Sequence, residues 1–137
     1  MGGYGLGWRA PDTVRGIPLW WSADTSYWFR YDKSSWRITA GPIFTHAFNA
    51  LRQSLELEGA VRVTYIERPS FGDEDLGSHF HFASHAGLAW RVPRSRMAVG
   101  FRFEHVSNAG LWEHNPGVNF ASFELRIPLS AFGVVSR

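Results

Sequence analysis

The 137-residue chain contains no cysteine. That excludes a disulfide framework and any thiolate-bound metal. Charge is scarce as well, at 19% of residues, whereas aromatic residues make up 16%. Such a balance lets a chain bury enough apolar surface to fold, so a disordered tail is excluded. The net charge of +2 is small and the basic residues are scattered, so nothing resembles a nucleic-acid footprint. No apolar run approaches the roughly 20 residues of a transmembrane helix. Met1 to Ala10 lacks the apolar centre of a secretory signal. The length suits a single domain over residues 1–137.

What is present is a period of two. From Met97 to Ser107 the odd positions hold Met97, Val99, Phe101, Phe103, His105 and Ser107, and the even ones Ala98, Gly100, Arg102, Glu104 and Val106. Alternation of this kind marks a strand with two chemically different faces. It recurs in Ile17 to Tyr31, Trp36 to Phe48, Leu55 to Tyr65, Ser78 to Val92 and Asn119 to Leu129, and more weakly in the Gly-rich Met1 to Trp8. The pattern predicts an all-β antiparallel barrel with about seven visible strands and no helix. Tight turns are expected at Asp32 to Ser35 and Pro93 to Arg96, and longer loops at Glu67 to Gly77 and Asn108 to Val118.

Two barrels fit this alternation. A soluble, lipocalin-like barrel turns its apolar face inward. A small transmembrane barrel turns that face to lipid and keeps a polar interior. The polar face here mixes Gly, Ala and Ser with Glu and Arg on neighbouring strands, as side chains sharing a narrow interior would. That favours the membrane barrel. Trp20, Trp21, Tyr27, Trp28, Tyr31, Trp36, Tyr65 and Trp90 are placed to form its interfacial girdles. Bacterial barrels normally have an even strand number, so the odd number predicts one further strand, and a signal peptide, upstream of Met1.

The stretch richest in chemistry runs from Glu104 to Phe120. His105 and Ser107 are two apart on a strand and share the apolar face. Side by side they can act as base and nucleophile, because a serine hydroxyl is a poor nucleophile until an imidazole takes its proton. Asn119 opens the next strand with the same parity, and the hairpin returns it beside His105, where it can hold the ring. Asn108 and the backbone at Gly110 follow the serine and are candidate oxyanion donors. Each pair alone is a weak signal, since Asn-Ala-Gly and Asn-Pro-Gly are also common turns.

Together, His105, Ser107, Asn108, Ala109, Gly110, Asn115 and Gly117 resemble the signature of the PagL-type lipid A 3-O-deacylases. That signature reads His-x-Ser-Asn-Ala-Gly, a short variable loop, then Asn-x-Gly and an acidic residue. Leu76-Gly77-Ser78 with Phe80 and Phe82, and Glu58-Gly59-Ala60, resemble other parts of the family. The resemblance implies an eight-stranded outer-membrane barrel whose site lies on the lipid-facing wall near the outer leaflet. It implies hydrolysis of the acyl ester at position 3 of lipid A without metal or organic cofactor. Carried over, His105 is the general base, Ser107 the nucleophile, and Asn108 and Gly110 the oxyanion donors. The implied partners are lipid A or lipopolysaccharide and the membrane, with a homodimer left open and no nucleic acid.

One position departs from the family: Asn119 stands where its members carry Glu. Glu113 in the loop is a candidate substitute, whereas Glu104 and Glu124 point inward and are expected to pair with Arg102 and Arg126. Asn119 keeps open a catalytically degenerate barrel with a structural or lipid-binding role. Elsewhere, His79, His81 and His85 share one face without a nearby carboxylate, so a metal site is not expected. Asp73, Glu74 and Asp75 read as a solvated acidic loop. Gly3, Gly5 and Gly7 precede no helix and do not form a phosphate cradle.

Overall fold

The computed structural model describes residues 2–50, 53–71, 74–95, 97–113 and 116–127. Its strands are β1 (Gly2–Val14), β2 (Ile17–Arg30), β3 (Lys33–Ala50), β4 (Gln53–Ile66), β5 (Ser70–Phe71), β6 (Glu74–Asp75), β7 (Phe80–Arg91), β8 (Ala98–Ser107) and β9 (Val118–Arg126). Seven of them form one sheet in the order β1-β2-β3-β4-β7-β8-β9. Every neighbouring pair in it is antiparallel. β5 and β6 are a two-stranded hairpin inside the Glu67–Gly77 loop, too short for a period-two signal. The tight turn after β2 lies at Tyr31–Asp32 rather than Asp32–Ser35, because Tyr31 adopts the left-handed φ of 56° and pairing resumes at Lys33. β9 ends at Arg126, and Leu129 lies outside the described residues.

The sheet curls so that side chains on distant strands meet inside it. Arg9 on β1 reaches Glu58 on β4 at 3.0 Å and Glu124 on β9 at 3.3 Å. The Trp28 ring on β2 lies 4.1 Å from that of Phe120 on β9. The burial is inverted relative to a soluble barrel. Arg62 and Glu58 are 1% and 3% exposed, while Val61 and Leu57 beside them on β4 are 62% and 52% exposed. The apolar face is therefore the outer face, as expected of a barrel with a polar interior.

The interior has two layers. At the end carrying the Asn108–Val118 loop, Trp28, Ile66, Leu76, Ala83 and Val106 form an apolar plug, with Val118 and Phe120 against it. Trp28, placed by sequence in the outer girdle, belongs here because its parity matches Ser26 and Ser22 on the inward face of β2. The Arg37 guanidinium lies 4.4 Å from the Trp28 ring and links the plug to the charged layer below. In that layer Glu104 pairs with Arg37 and with Arg62, the latter at 3.0 Å. Glu58 collects Arg9, Arg102 and Arg126 at 2.6–3.3 Å. Glu124 pairs with Arg102 and Arg126 as parity suggests. Glu104 instead reaches across the interior to β3 and β4, which register along one hairpin could not reveal.

The outer face carries aromatic groups towards the loop end. Tyr4, Tyr27 and Trp36 form a ladder across β1, β2 and β3 with ring separations of 5.8 and 5.0 Å. Tyr65 continues it by contacting His79 at 5.6 Å and Phe80 at 5.3 Å.

Candidate active site

His105 and Ser107 occupy the last turn-out of β8, both half-buried and both on the outer face. Val106 between them is fully buried in the plug, so the interior packing fixes the backbone that presents the two side chains. Antiparallel pairing sets Asn119 of β9 directly opposite His105, and Phe82 of β7 opposite Ser107.

His105 Nδ1 lies 2.8 Å from Asn119 Oδ1. An amide oxygen only accepts, so the proton sits on Nδ1 and the Nε2 lone pair is left to act as base. Asn119 thus selects the tautomer in which Nε2 is free to accept a proton. Asn119, not the exposed Glu113, is the group bonded to His105. Among the described residues no hydrogen bond joins His105 to Ser107. Such contacts commonly tighten only once substrate is bound.

Gly117 adds a contact that sequence reasoning used only as a motif match. It has a φ of 63°, and a Cβ there would stand 2.7 Å from His105 Cε1 and 3.3 Å from Nε2. The bare Cα of Gly117 is therefore the surface against which the imidazole rests. The only sequence signal for this was a glycine after a proline at the start of a strand.

After Ser107 the chain turns sharply. Ala109 and Gly110 both have left-handed φ, at 54° and 78°, and Leu111 N–H donates to Asn108 O at 3.1 Å. That is the type I′ arrangement, in which both central residues need φ > 0. Gly110 N–H donates to Asn108 Oδ1 at 2.9 Å. The Asn108 side chain is fully buried and its amide plane is fixed by this bond. The two expected oxyanion donors are thus adjacent, but the Gly110 N–H is directed at Asn108. Asn115 of the motif lies outside the described residues.

The remaining candidates fall elsewhere. His81 and His85 are buried in the interior, and His79 Nδ1–H donates to Ile66 O at 2.9 Å. No group of three or more metal-ligating side chains is found among the described residues.

Residues 2–128 match the sequence model of the lipid A 3-O-deacylase family, PagL. The chain belongs to the PagL family. A lipid A deacylase PagL of Bordetella bronchiseptica is 34% identical over 104 residues, covering 76% of this chain and 54% of that protein. One of Pseudomonas aeruginosa is 28% identical over 124 residues, covering 89% of this chain and 70% of that protein. The chain thus spans about half the length of the first PagL relative and over two thirds of the second. The crystal structure of the outer membrane enzyme PagL superposes with a TM-score of 0.75 at 26% identity, over 92% of this chain and 88% of that one.

Proposed function

We propose that this chain is a lipid A 3-O-deacylase, a serine esterase acting from the lipid-facing wall of an outer-membrane barrel. The observation that carries this reading is the His105–Asn119 hydrogen bond on the outward face that also bears Ser107. A base oriented for proton transfer is otherwise hard to explain on an apolar exterior. Membrane embedding is supported by the inverted burial, with charge inside and apolar side chains outside.

In this mechanism His105 Nε2 takes the Ser107 hydroxyl proton as Oγ attacks the ester carbonyl of the 3-linked acyl chain. The candidate oxyanion donors are the Asn108 amide and the Gly110 N–H; with Asn108 buried and the Gly110 N–H bonded to its Oδ1, both have to turn to the substrate oxygen before they donate. Collapse breaks the acyl–oxygen bond, and the proton on His105 passes to the departing sugar oxygen. Water, deprotonated by His105, then releases the fatty acid from Ser107.

The test is mass spectrometry of lipid A from a Gram-negative host expressing the full protein, beside Ser107→Ala. Loss of one 3-linked acyl chain in the wild type alone is expected. Unchanged lipid A, with folded protein in the outer membrane, overturns the reading in favour of a degenerate barrel, which the neutral Asn119 would then explain.

A further inference from the structure

Charge is matched inside the barrel and unmatched at one end of it. Arg9, Arg37, Arg62, Arg102 and Arg126 all pair with inward acids. The end where β8 finishes at Ser107 carries both signs, with Asp32, Glu67 and Asp75 beside Lys33 and Arg68. The opposite end carries arginine. Arg15 lies in the turn between β1 and β2, and Arg94 in the turn between β7 and β8. Both are exposed, and neither pairs with an acid among the described residues. Asp12, the acid nearest Arg15 in the chain, is engaged elsewhere. Its Oδ1 accepts from Thr13 N–H at 2.7 Å and its Oδ2 from Trp21 Nε1 at 2.8 Å. Arg91, at the end of β7, bonds Glu56 at 3.0 Å while its side chain stays 56% exposed.

The backbone makes Arg15 and Arg94 informative. Val14 pairs with Ile17, so Arg15 and Gly16 form a two-residue turn, with φ of 51° and 79°. Positive φ at both centres favours Asn-Gly. In the other turn Ser95 N–H donates to Val92 O at 3.2 Å, with Pro93 second and Arg94 third at a φ of 60°. A proline followed by a residue of positive φ is the type II pattern, whose third place favours Gly or Asn. Arginine therefore holds the left-handed position of both turns against local preference. Such outliers point to a role for the side chain.

The surroundings indicate the partner. Val14 and Ile17, both about half exposed, flank the first turn directly. Met97 and Val99 follow the second, and Trp21 and Trp90 are exposed a few residues further along the wall. A two-residue turn does not reach out from its strands. Arg15 is thus flush with the edge of the apolar face, at the depth where a leaflet carries its phosphates, and arginine stems suit that boundary. A lipid leaflet touches the apolar face and the arginines together, whereas a soluble protein would leave one of them unused.

We infer that this end of the barrel is a rim for anionic phospholipid headgroups, with Arg15 and Arg94 as the groups that meet the phosphate. The inference rests on the membrane-barrel reading and is independent of Ser107.

The test refolds the full protein into phosphatidylcholine vesicles. Tryptophan quenching by brominated phosphatidylglycerol is compared with quenching by brominated phosphatidylcholine. The wild type should prefer the anionic lipid about threefold or more, below the roughly fivefold that each arginine gives at full contact. Arg15→Asn combined with Arg94→Asn should abolish the preference. That variant should be at least as stable to heat in micelles, because Asn accepts the left-handed φ. Arg15→Lys with Arg94→Lys should keep the preference. A preference absent from the wild type, or retained by the folded Asn variant, overturns the rim. Loss of the wild-type preference on adding glycerol phosphate makes the site one for soluble phosphate and also overturns it. No quenching by either lipid overturns the membrane reading, and the rim with it.

Discussion

His105 Nδ1 and Asn119 Oδ1 are 2.8 Å apart, so a neutral amide does the orienting that an acid performs in a Ser-His-Asp triad. The amide fixes ring and tautomer but brings no charge to balance the imidazolium that the proposed deprotonation of Ser107 would form. Replacing a triad acid by its amide can cost about 10⁴ in kcat, partly through the wrong tautomer. Here the tautomer is right, so only the charge contribution is missing. Asn119→Glu should therefore raise kcat by about 10-fold or more, below that 10⁴ ceiling. Asn119→Leu should lower it. Steady-state kinetics on purified lipid A checks both, and a folded Asn119→Glu with reduced kcat would refute the argument.

Ser107→Ala and His105→Ala should each lower kcat by up to about 10⁶-fold, and the double variant should lose little more, because the pair acts as a unit. Both variants should keep the heat-modifiable electrophoretic mobility of a folded barrel. Substantial turnover by Ser107→Ala would place the nucleophile elsewhere.

Gly117→Ala should lower kcat at least tenfold with little change in KM. A methyl group there would stand 2.7 Å from His105 Cε1, and the left-handed φ of 63° strains any other residue. That strain is about 1–3 kcal/mol. Comparison of kcat and KM, with thermal unfolding as a control, separates displacement of the ring from general loss of stability.

Glu58→Leu should destabilise the barrel by about 3–5 kcal/mol, the usual result of stranding buried charges by deleting their partner. Glu58 faces Arg9, Arg102 and Arg126 at 3.0, 3.3 and 2.6 Å. Urea unfolding in micelles measures the loss. The same substitution lies on the inner face, so kcat at temperatures where the barrel is folded should change little.

Removal of detergent should precipitate the protein, since the exposed outer face includes Phe123 at 84% and Leu6 at 82%. A monomer stable in plain buffer would contradict an outward apolar face in contact with lipid. Sedimentation with and without detergent distinguishes the two.

Much of the fold was legible because a strand's alternation is local. Period two in Met97 to Ser107 identified β8 and put His105 and Ser107 on one face and Arg102 and Glu104 on the other without any knowledge of neighbours. The same parity placed Asn119 beside His105 once a hairpin was assumed. The β5–β6 hairpin escaped because two-residue strands carry no period. Trp28 was misplaced because an aromatic side chain suits either a girdle or a plug, and parity rather than residue type decides.

By itself, then, the sequence determined the positions of the long strands, the two faces of each and which polar residues share a face at the end of β8, because each depends on spacing along one chain. Tertiary structure decided which face is outside, which cations surround Glu58, that Glu104 reaches Arg37 and Arg62, and that Gly117 supports the His105 ring. Those contacts join strands far apart in sequence. They exist only once the sheet has curled, and curvature is a property of the whole wall rather than of any strand in it.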